Sequence, residues 1–594
     1  MECVAVATAA TRKALAAARP LRDILRVRVL GVFHRRHPYL YSGVFDSKVL
    51  VEVDRGGRGW AEAVAYAAAS RDCDAVLPMD YVDYLTLSLY RRVFEEVGVV
   101  LVSPPHEAIA AASDKRLLQR MGLPVPRGVV VEEGVVRGDP SSLEPPLVVK
   151  GVGDASSPRY HAALEDALAD ALGRRDAVVQ EFVAGRGRGY FALAFRGRPV
   201  LEFSHERLVE YEPVGGASLA ARGPIEDPEL YRLGRLVVGK LEWSGVVMVE
   251  ARYSLEDDEY YVIEVNPKLW GSLDLAVHCN RHFPALVVAA HVLGWSEAEA
   301  LAEKLGGGGR CTYSWLLDGL RYLAKIPSVV ARLARLCLHG GCDLDPLDAA
   351  RVAAQLAAAA SRLGRERSRW RMRLEEAAVN ARRWVERAAS IAARGGAVVA
   401  WDLDGTLARL PVDWGEARRR LEEAGFEVVA GSVMATLARL WGRDRRGFEE
   451  ASRIVEEVEA AAVERAELLV DRRALVELRS LAQRFILVTR QSSRVAEAVL
   501  ERLGVRSLFD EIVGRDEGSM SKGRVLERLG GPGILVDDNF EAVVAAWRRG
   551  WAPVLATRDE YSAARAYTLG IPAAGHREIP RLLGVVLRGS TPSV

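Results

Sequence analysis

The stretch VVAWDLDGTLARL, residues 398–410, constrains this chain more than any other. An apolar run ends at Asp402, and Asp404, Gly405 and Thr406 follow at once. A buried strand that ends in two carboxylates and a Gly-Thr turn is the start of a phosphate-handling site. It begins at Val398 of 594 residues, so roughly two thirds of the chain precede it and need cores of their own. A chain this long divides into about three or four domains.

Residues 1–105 alternate apolar runs (VAVAT, RVRVLGVF, SKVLVEV, DAVLPMD) with helical patterns such as TRKALAAARPL. That rhythm predicts βαβ units and a parallel sheet covered by helices. From 106 to 295 helices mix with two hairpin-like pairs, RGYFALAF with RPVLEF and VVMVEARYS with YYVIEVN. The pairs flank the turns RGR and LEDDE, which predicts antiparallel sheet and an α+β domain. Residues 296–395 read as helical throughout and end in an amphipathic linker helix, RERSRWRMRLEEAAVNARRWVERAASIAARGG. Residues 396–588 return to strand–helix alternation, with a helical stretch at about 410–478.

Charge and cysteine usage narrow the partners. Net charge is +1, with 27% charged and 49% hydrophobic residues, so neither nucleic acid nor an acidic membrane surface is expected. Glu375, Glu376 and Glu386 interleave with the arginines of the linker helix, which predicts a solvated face rather than an RNA-binding one. No apolar run approaches about 18 residues and no secretory pattern opens the chain, so a cytoplasmic protein is expected. The six cysteines form no CxxC pair. The segment CLHGGC offers Cys337, His339 and Cys342 as a metal site, or Cys337 and Cys342 as a pair in a thermophile cytosol. Zinc-site spacing favours plain thiols at a helix end.

Asp402 is placed to attack phosphorus and become an aspartyl phosphate, and Asp404 to protonate the leaving alcohol and then deprotonate water. FILVTRQS puts Thr489 at another strand end as a hydroxyl donor. MSKGRVLERLG puts Lys522 at a helix start, where cation and dipole both favour a phosphoryl group. GPGILVDDNFEAV supplies Asp537 and Asp538, with Glu541 nearby, as acids for Mg2+. These four ordered motifs resemble the haloacid dehalogenase-like (HAD) phosphohydrolases over about 396–580. By that resemblance Asp402 is the nucleophile and Asp404 the acid/base. Thr489 and Lys522 hold phosphate, and Asp402, Asp404, Asp537 and Asp538 surround the metal. The stretch at about 410–478 then forms a cap that admits small substrates.

A second constellation lies earlier. VIEVNPKLWGS puts Glu264 and Asn266 on one face of a strand, with Glu250 on the preceding strand, a fit to Mg2+ beside a polyphosphate. Lys115 in SDKRLLQRMGLPVP and Lys150 in PPLVVKGVGD are point charges for ATP phosphates. VVQEFVAG gives Glu181 and Val183 as a hinge for adenine and ribose. The order of these segments resembles the ATP-grasp carboxylate–amine ligases over about 1–295. HERLVEYEPVGGAS is similar to the branch related to carbamoyl-phosphate synthetase. The resemblance implies that Lys115, Lys150, Glu181 and Val183 bind ATP and that Glu250, Glu264 and Asn266 bind Mg2+. Lys268 stands where that family usually has an Arg to steady an acyl phosphate; it keeps the charge and loses the fork.

The expected fold is α/β and multidomain: a Rossmann-like domain at 1–105, an ATP-grasp domain at 106–295, a helical linker at 296–395, and a HAD domain at 396–588 with its cap. The expected function is bifunctional, joining an ATP-dependent carboxylate–amine ligase to a Mg2+-dependent phosphomonoesterase, with Mn2+ as a substitute cation. Its partners are a small carboxylate, an amine and a phosphate ester, and the sequence leaves homo-oligomerisation open. The alternative is an ATP-binding regulatory module that controls a small-molecule phosphatase.

Overall fold

The computed structural model of the protein describes residues 1–153, 157–212, 214–322, 325–362, 367–394, 397–517 and 520–589. Among them the chain forms sheets of five, five, seven and six strands and one two-stranded ribbon. The first sheet is parallel, in the spatial order Ser47–Leu50, Arg28–Phe33, Cys3–Ala7, Ala75–Leu77, Val100–Leu101. Its strands are apolar on both faces because helices cover both. Val4 and Val6 face one core, while Ala5 and Ala7 face Trp60 and Val64 of the helix Arg58–Ala69 in the other.

The second sheet is antiparallel and holds Gly128–Glu132, Ala177–Glu181 and Leu147–Gly151 at its centre. The third has seven strands, and both expected hairpins form in it. Gly187–Phe195 pairs with Arg198–Glu212, Gly245–Ser254 pairs with Glu259–Asn266, and the two hairpins join through Gly187–Phe195 against Gly245–Ser254.

Two expectations for residues 296–395 are corrected. The segment is not helical throughout: Cys311–Ser314 adds antiparallel to Gly215–Gly223, where an open sheet edge meets a short run with a β-branched and an aromatic residue. Nor are the cysteines plain thiols. Cys3–Cys73, Cys279–Cys311 and Cys337–Cys342 are disulfide-bonded, leaving no free cysteine among the described residues. Gly340 ends the helix Pro327–His339, and the strand Gly341–Cys342 turns back along Tyr313 and Ser314, which returns Cys342 to Cys337.

The linker helix, Arg367–Ala392, is clamped between the sheets as well as solvated. Buried Asn380 donates to Tyr160 O and Thr568 O, both at 2.9 Å, and accepts from Ala162 N at 3.0 Å. Trp384 donates to Pro553 O at 2.7 Å. Gly395 and Gly396, expected to end this helix, lie outside the described residues.

The fourth sheet is parallel, with Val398–Trp401 between Arg484–Val488 and Ile534–Asp537. Parallel neighbours end on the same edge, which brings Asp402, Thr489 and Asp537 together. Helices Trp414–Glu423, Val433–Arg443 and Arg445–Ala460 bury Leu421, Leu437, Phe448 and Val455 in a core of their own. The expected cap range reaches into the helix Arg472–Leu481, but Leu475 and Leu478 pack with the sheet instead. Among the described residues no helix is long and apolar enough to cross a membrane.

Two candidate active sites

Between the second and third sheets lies a cavity of about 360 Å³. All eight residues expected from the sequence line it: Lys115, Lys150, Glu181, Val183, Glu250, Glu264, Asn266 and Lys268. Glu250 and Glu264 are direct cross-strand partners, where like charges repel. The site answers with cations. Lys115 Nζ lies 3.6 Å from Glu264 Oε2 and donates to Gly153 O at 3.1 Å. Lys150 donates to Gln180 Oε1 at 3.1 Å. Asn266 donates to Glu264 Oε1 at 2.8 Å, and Lys268 donates to Asn266 Oδ1 at 3.1 Å.

These contacts split the titration of the two acids. Burial alone would raise both. At Glu264 Lys115, the Asn266 hydrogen bond and Lys268 outweigh it and hold the carboxyl at about 2. At Glu250 burial prevails over Arg207, and the carboxyl stays above its ordinary value. Burial also brings Lys150 down to about 8. Arg207 was not singled out in the sequence, although it lies inside the quoted segment HERLVEYEPVGGAS. Its guanidinium donates to Glu250 Oε1 at 2.8 Å and Oε2 at 2.6 Å. Glu250, Glu264 and Asn266, the expected metal trio, thus line one cavity, with both oxygens of Glu250 accepting from Arg207 and Glu264 Oε1 accepting from Asn266.

The second site stands at the shared edge of the parallel sheet. Lys522 Nζ donates to Asp402 Oδ1 at 2.5 Å and to Asp537 Oδ2 at 2.6 Å. Oxygens of Asp402, Asp537 and Asp538 all lie within 4.8 Å of one another, a set that fits one divalent cation. Burial foremost, then the neighbouring carboxylates, push Asp538 up to about 8; Asp537, despite Lys522, rises to about 6. Burial would lower Lys522, but Asp402 and Asp537 outweigh it and keep it above its ordinary value. The ammonium thus offsets part of the charge a metal ion would neutralise.

Gly405 sits at φ +82°, and a Cβ there would collide with the Asp538 carboxylate. Asp404 lies outside the three-carboxylate cluster. Its Oδ1 accepts from Leu410 N at 2.8 Å, and burial lifts it to about 6, a value suited to an acid that must hold a proton. Thr489 is buried and donates to Gln491 Oε1. Glu541 accepts from Leu255 N at 2.9 Å, so it serves a contact between the two halves rather than the cation cluster.

The two halves touch along a broad front. Arg548 donates to Phe182 O at 2.6 Å, and Tyr561 Oη accepts from Glu210 N at 2.9 Å. A cavity of about 250 Å³ is lined by Glu181 and Val183 of the first cleft and by Ser521 and Gly523 beside Lys522.

Four sheets with helices between and around them define an α/β multidomain protein with two charged clefts. No family model matches the chain. It is similar in fold to biotin carboxylase from Campylobacter jejuni, at 14% identity and a TM-score of 0.40, over 52% of this chain and 74% of that one. An L-amino acid ligase from Bacillus licheniformis matches at 16% identity and 0.40, over 52% and 79%. N5-carboxyaminoimidazole synthetase from Staphylococcus aureus matches at 12% identity and 0.38, over 50% and 77%.

Proposed function

We propose that the chain is a bifunctional enzyme, an ATP-grasp ligase joined to a HAD phosphatase. The observation that carries the reading is the gathering of Asp402, Asp537, Asp538 and Lys522 at one sheet edge, while Lys115, Lys150, Glu264 and Asn266 gather in a separate cleft.

In the first cleft Lys115 and Lys150 hold the ATP phosphates as point charges. A substrate carboxylate oxygen attacks the γ-phosphorus, the P–O bond to ADP breaks, and an acyl phosphate forms. Lys268 steadies that anion. An amine then attacks the acyl carbon, inorganic phosphate leaves, and the amine's proton is lost to solvent. In the second cleft an Asp402 oxygen attacks the ester phosphorus while the bond to the alcohol breaks and Asp404 delivers its proton to the leaving oxygen. Asp404 then takes a proton from water, whose oxygen attacks phosphorus and frees Asp402. Asp402, Asp537 and Asp538 in this cleft, and Glu250, Glu264 and Asn266 beside ATP, would hold Mg2+, which would supply charge neutralisation.

ADP release across a panel of carboxylates and amines, run beside a panel of phosphate esters, tests both halves. ADP formation that depends on an added amine supports the ligase. ATP binding without turnover favours an ATP-binding module that controls the phosphatase, a reading the contact between the halves also supports.

A further inference from the structure

The hairpin that carries Glu250 and Glu264 does not end in solvent. Its turn, residues 255–258, reaches the loops that carry the second site. Glu256 Oε2 accepts from Ser521 Oγ at 2.8 Å and from Gly523 N at 3.0 Å, and Arg490 Nη2 donates to its Oε1 at 2.5 Å. Lys522 lies between Ser521 and Gly523, and Thr489 precedes Arg490. One carboxylate therefore braces the two loops that present the phosphate-holding pair. Arg490 is held again through Nε, which donates to Met520 O at 3.1 Å. The turn is anchored on both sides of Glu256, by Leu255 N on Glu541 and by Asp258 3.3 Å from Arg439.

The electrostatics suit a brace. A carboxylate at the start of the helix Lys522–Leu529 meets exposed amide hydrogens and the positive end of the dipole. Glu256 and Arg490 are both about nine-tenths buried, so their ion pair is little screened. A site that moves phosphoryl groups needs its cation held to within a fraction of an ångström.

We propose that Glu256, contributed by the ATP-binding half, is a positioning residue of the phosphatase centre. It fixes the first turn of the helix and Arg490, and so aims Lys522 at Asp402 and Asp537. The inference rests on the phosphatase reading and adds that this centre is complete only when the metal-strand hairpin of the other half is docked.

The test uses full-length protein with Mg2+. Glu256→Gln keeps the shape and removes the charge. It should lower kcat/KM for p-nitrophenyl phosphate between about 10- and 100-fold, the loss expected from misplacing a catalytic cation. Calorimetry with inorganic phosphate should give a weaker Kd at the wild-type stoichiometry, whereas a fraction of misfolded protein would lower the stoichiometry and leave Kd alone. Ser521→Ala, which removes one bond from the opposite side, should show a smaller loss of the same kind. Combined with Arg490→Gln, Glu256→Gln should cost less than the sum of the two single losses, because both remove one brace. Wild-type kcat/KM and phosphate Kd in Glu256→Gln, or a rise in either activity or affinity, would overturn the proposal and leave the phosphatase reading standing. A wild-type protein that hydrolyses no ester and binds no phosphate overturns both.

Discussion

Arg207 holds both carboxylate oxygens of Glu250, at 2.8 and 2.6 Å, while Glu250 itself stands directly across the hairpin from Glu264. The pair is buried, and the fork geometry is the strong form of this contact. Arg207→Gln should leave Glu250 buried and unpaired, at a cost of about 3–5 kcal/mol. Urea unfolding at neutral pH measures it. Arg207→Gln combined with Glu250→Gln should recover part of the loss, since no unpaired charge remains.

The two proposed chemistries would use different carboxylates. Asp402→Asn removes the charge of the proposed nucleophile and should abolish ester hydrolysis while amine-dependent ADP formation persists. Glu264→Gln should do the reverse, because it removes an oxygen charge beside ATP and leaves the Asp402 cluster untouched. Both activities are measured in both variants at matched thermal stability. Loss of both activities in either folded variant would sink the two-site reading.

Lys150 gives the first cleft a pH signature. Its ammonium titrates at about 8 rather than its ordinary 10.5, chiefly through burial. It is charged at pH 6 and largely neutral at pH 9.5. ATP phosphates favour the charged form, so binding near pH 8–9 should take up a proton and affinity should fall as pH rises through that range. The same shift affects stability with the opposite trend: between about 8 and 10.5 the unfolded chain holds more protons, so this group's contribution rises with pH. Calorimetry in buffers of different ionisation enthalpy reads the uptake. Lys150→Met should weaken ATP binding and remove this uptake.

All six cysteines are paired. Thiol titration of the denatured, unreduced protein should therefore find no reactive thiol. Cys3–Cys73 spans 70 residues, a separation for which loop-closure entropy suggests about 4 kcal/mol. Cys73→Ser should lower the unfolding free energy by an amount of that order, and full reduction, which also opens Cys279–Cys311 and Cys337–Cys342, should lower it further.

Much of this protein is local, and the sequence carries local information well. The βαβ rhythm before residue 105, the two hairpins, and the Asp402, Thr489, Lys522 and Asp537 strand and helix ends follow from periodicity and residue type at short spacing. So does the membership of the first cleft, whose eight expected residues all line one cavity. What the sequence could not decide are meetings between distant segments. Arg207 reaches Glu250 only because the third sheet sets their strands on either side of Gly187–Phe195, and Cys342 meets Cys337 only because a short strand folds back on Tyr313. The sequence suggested two sites kept apart by a helical segment. Tertiary packing instead drives Glu256 to Ser521, 265 residues away, because side-chain periodicity specifies which face of an element is buried but not which element covers it.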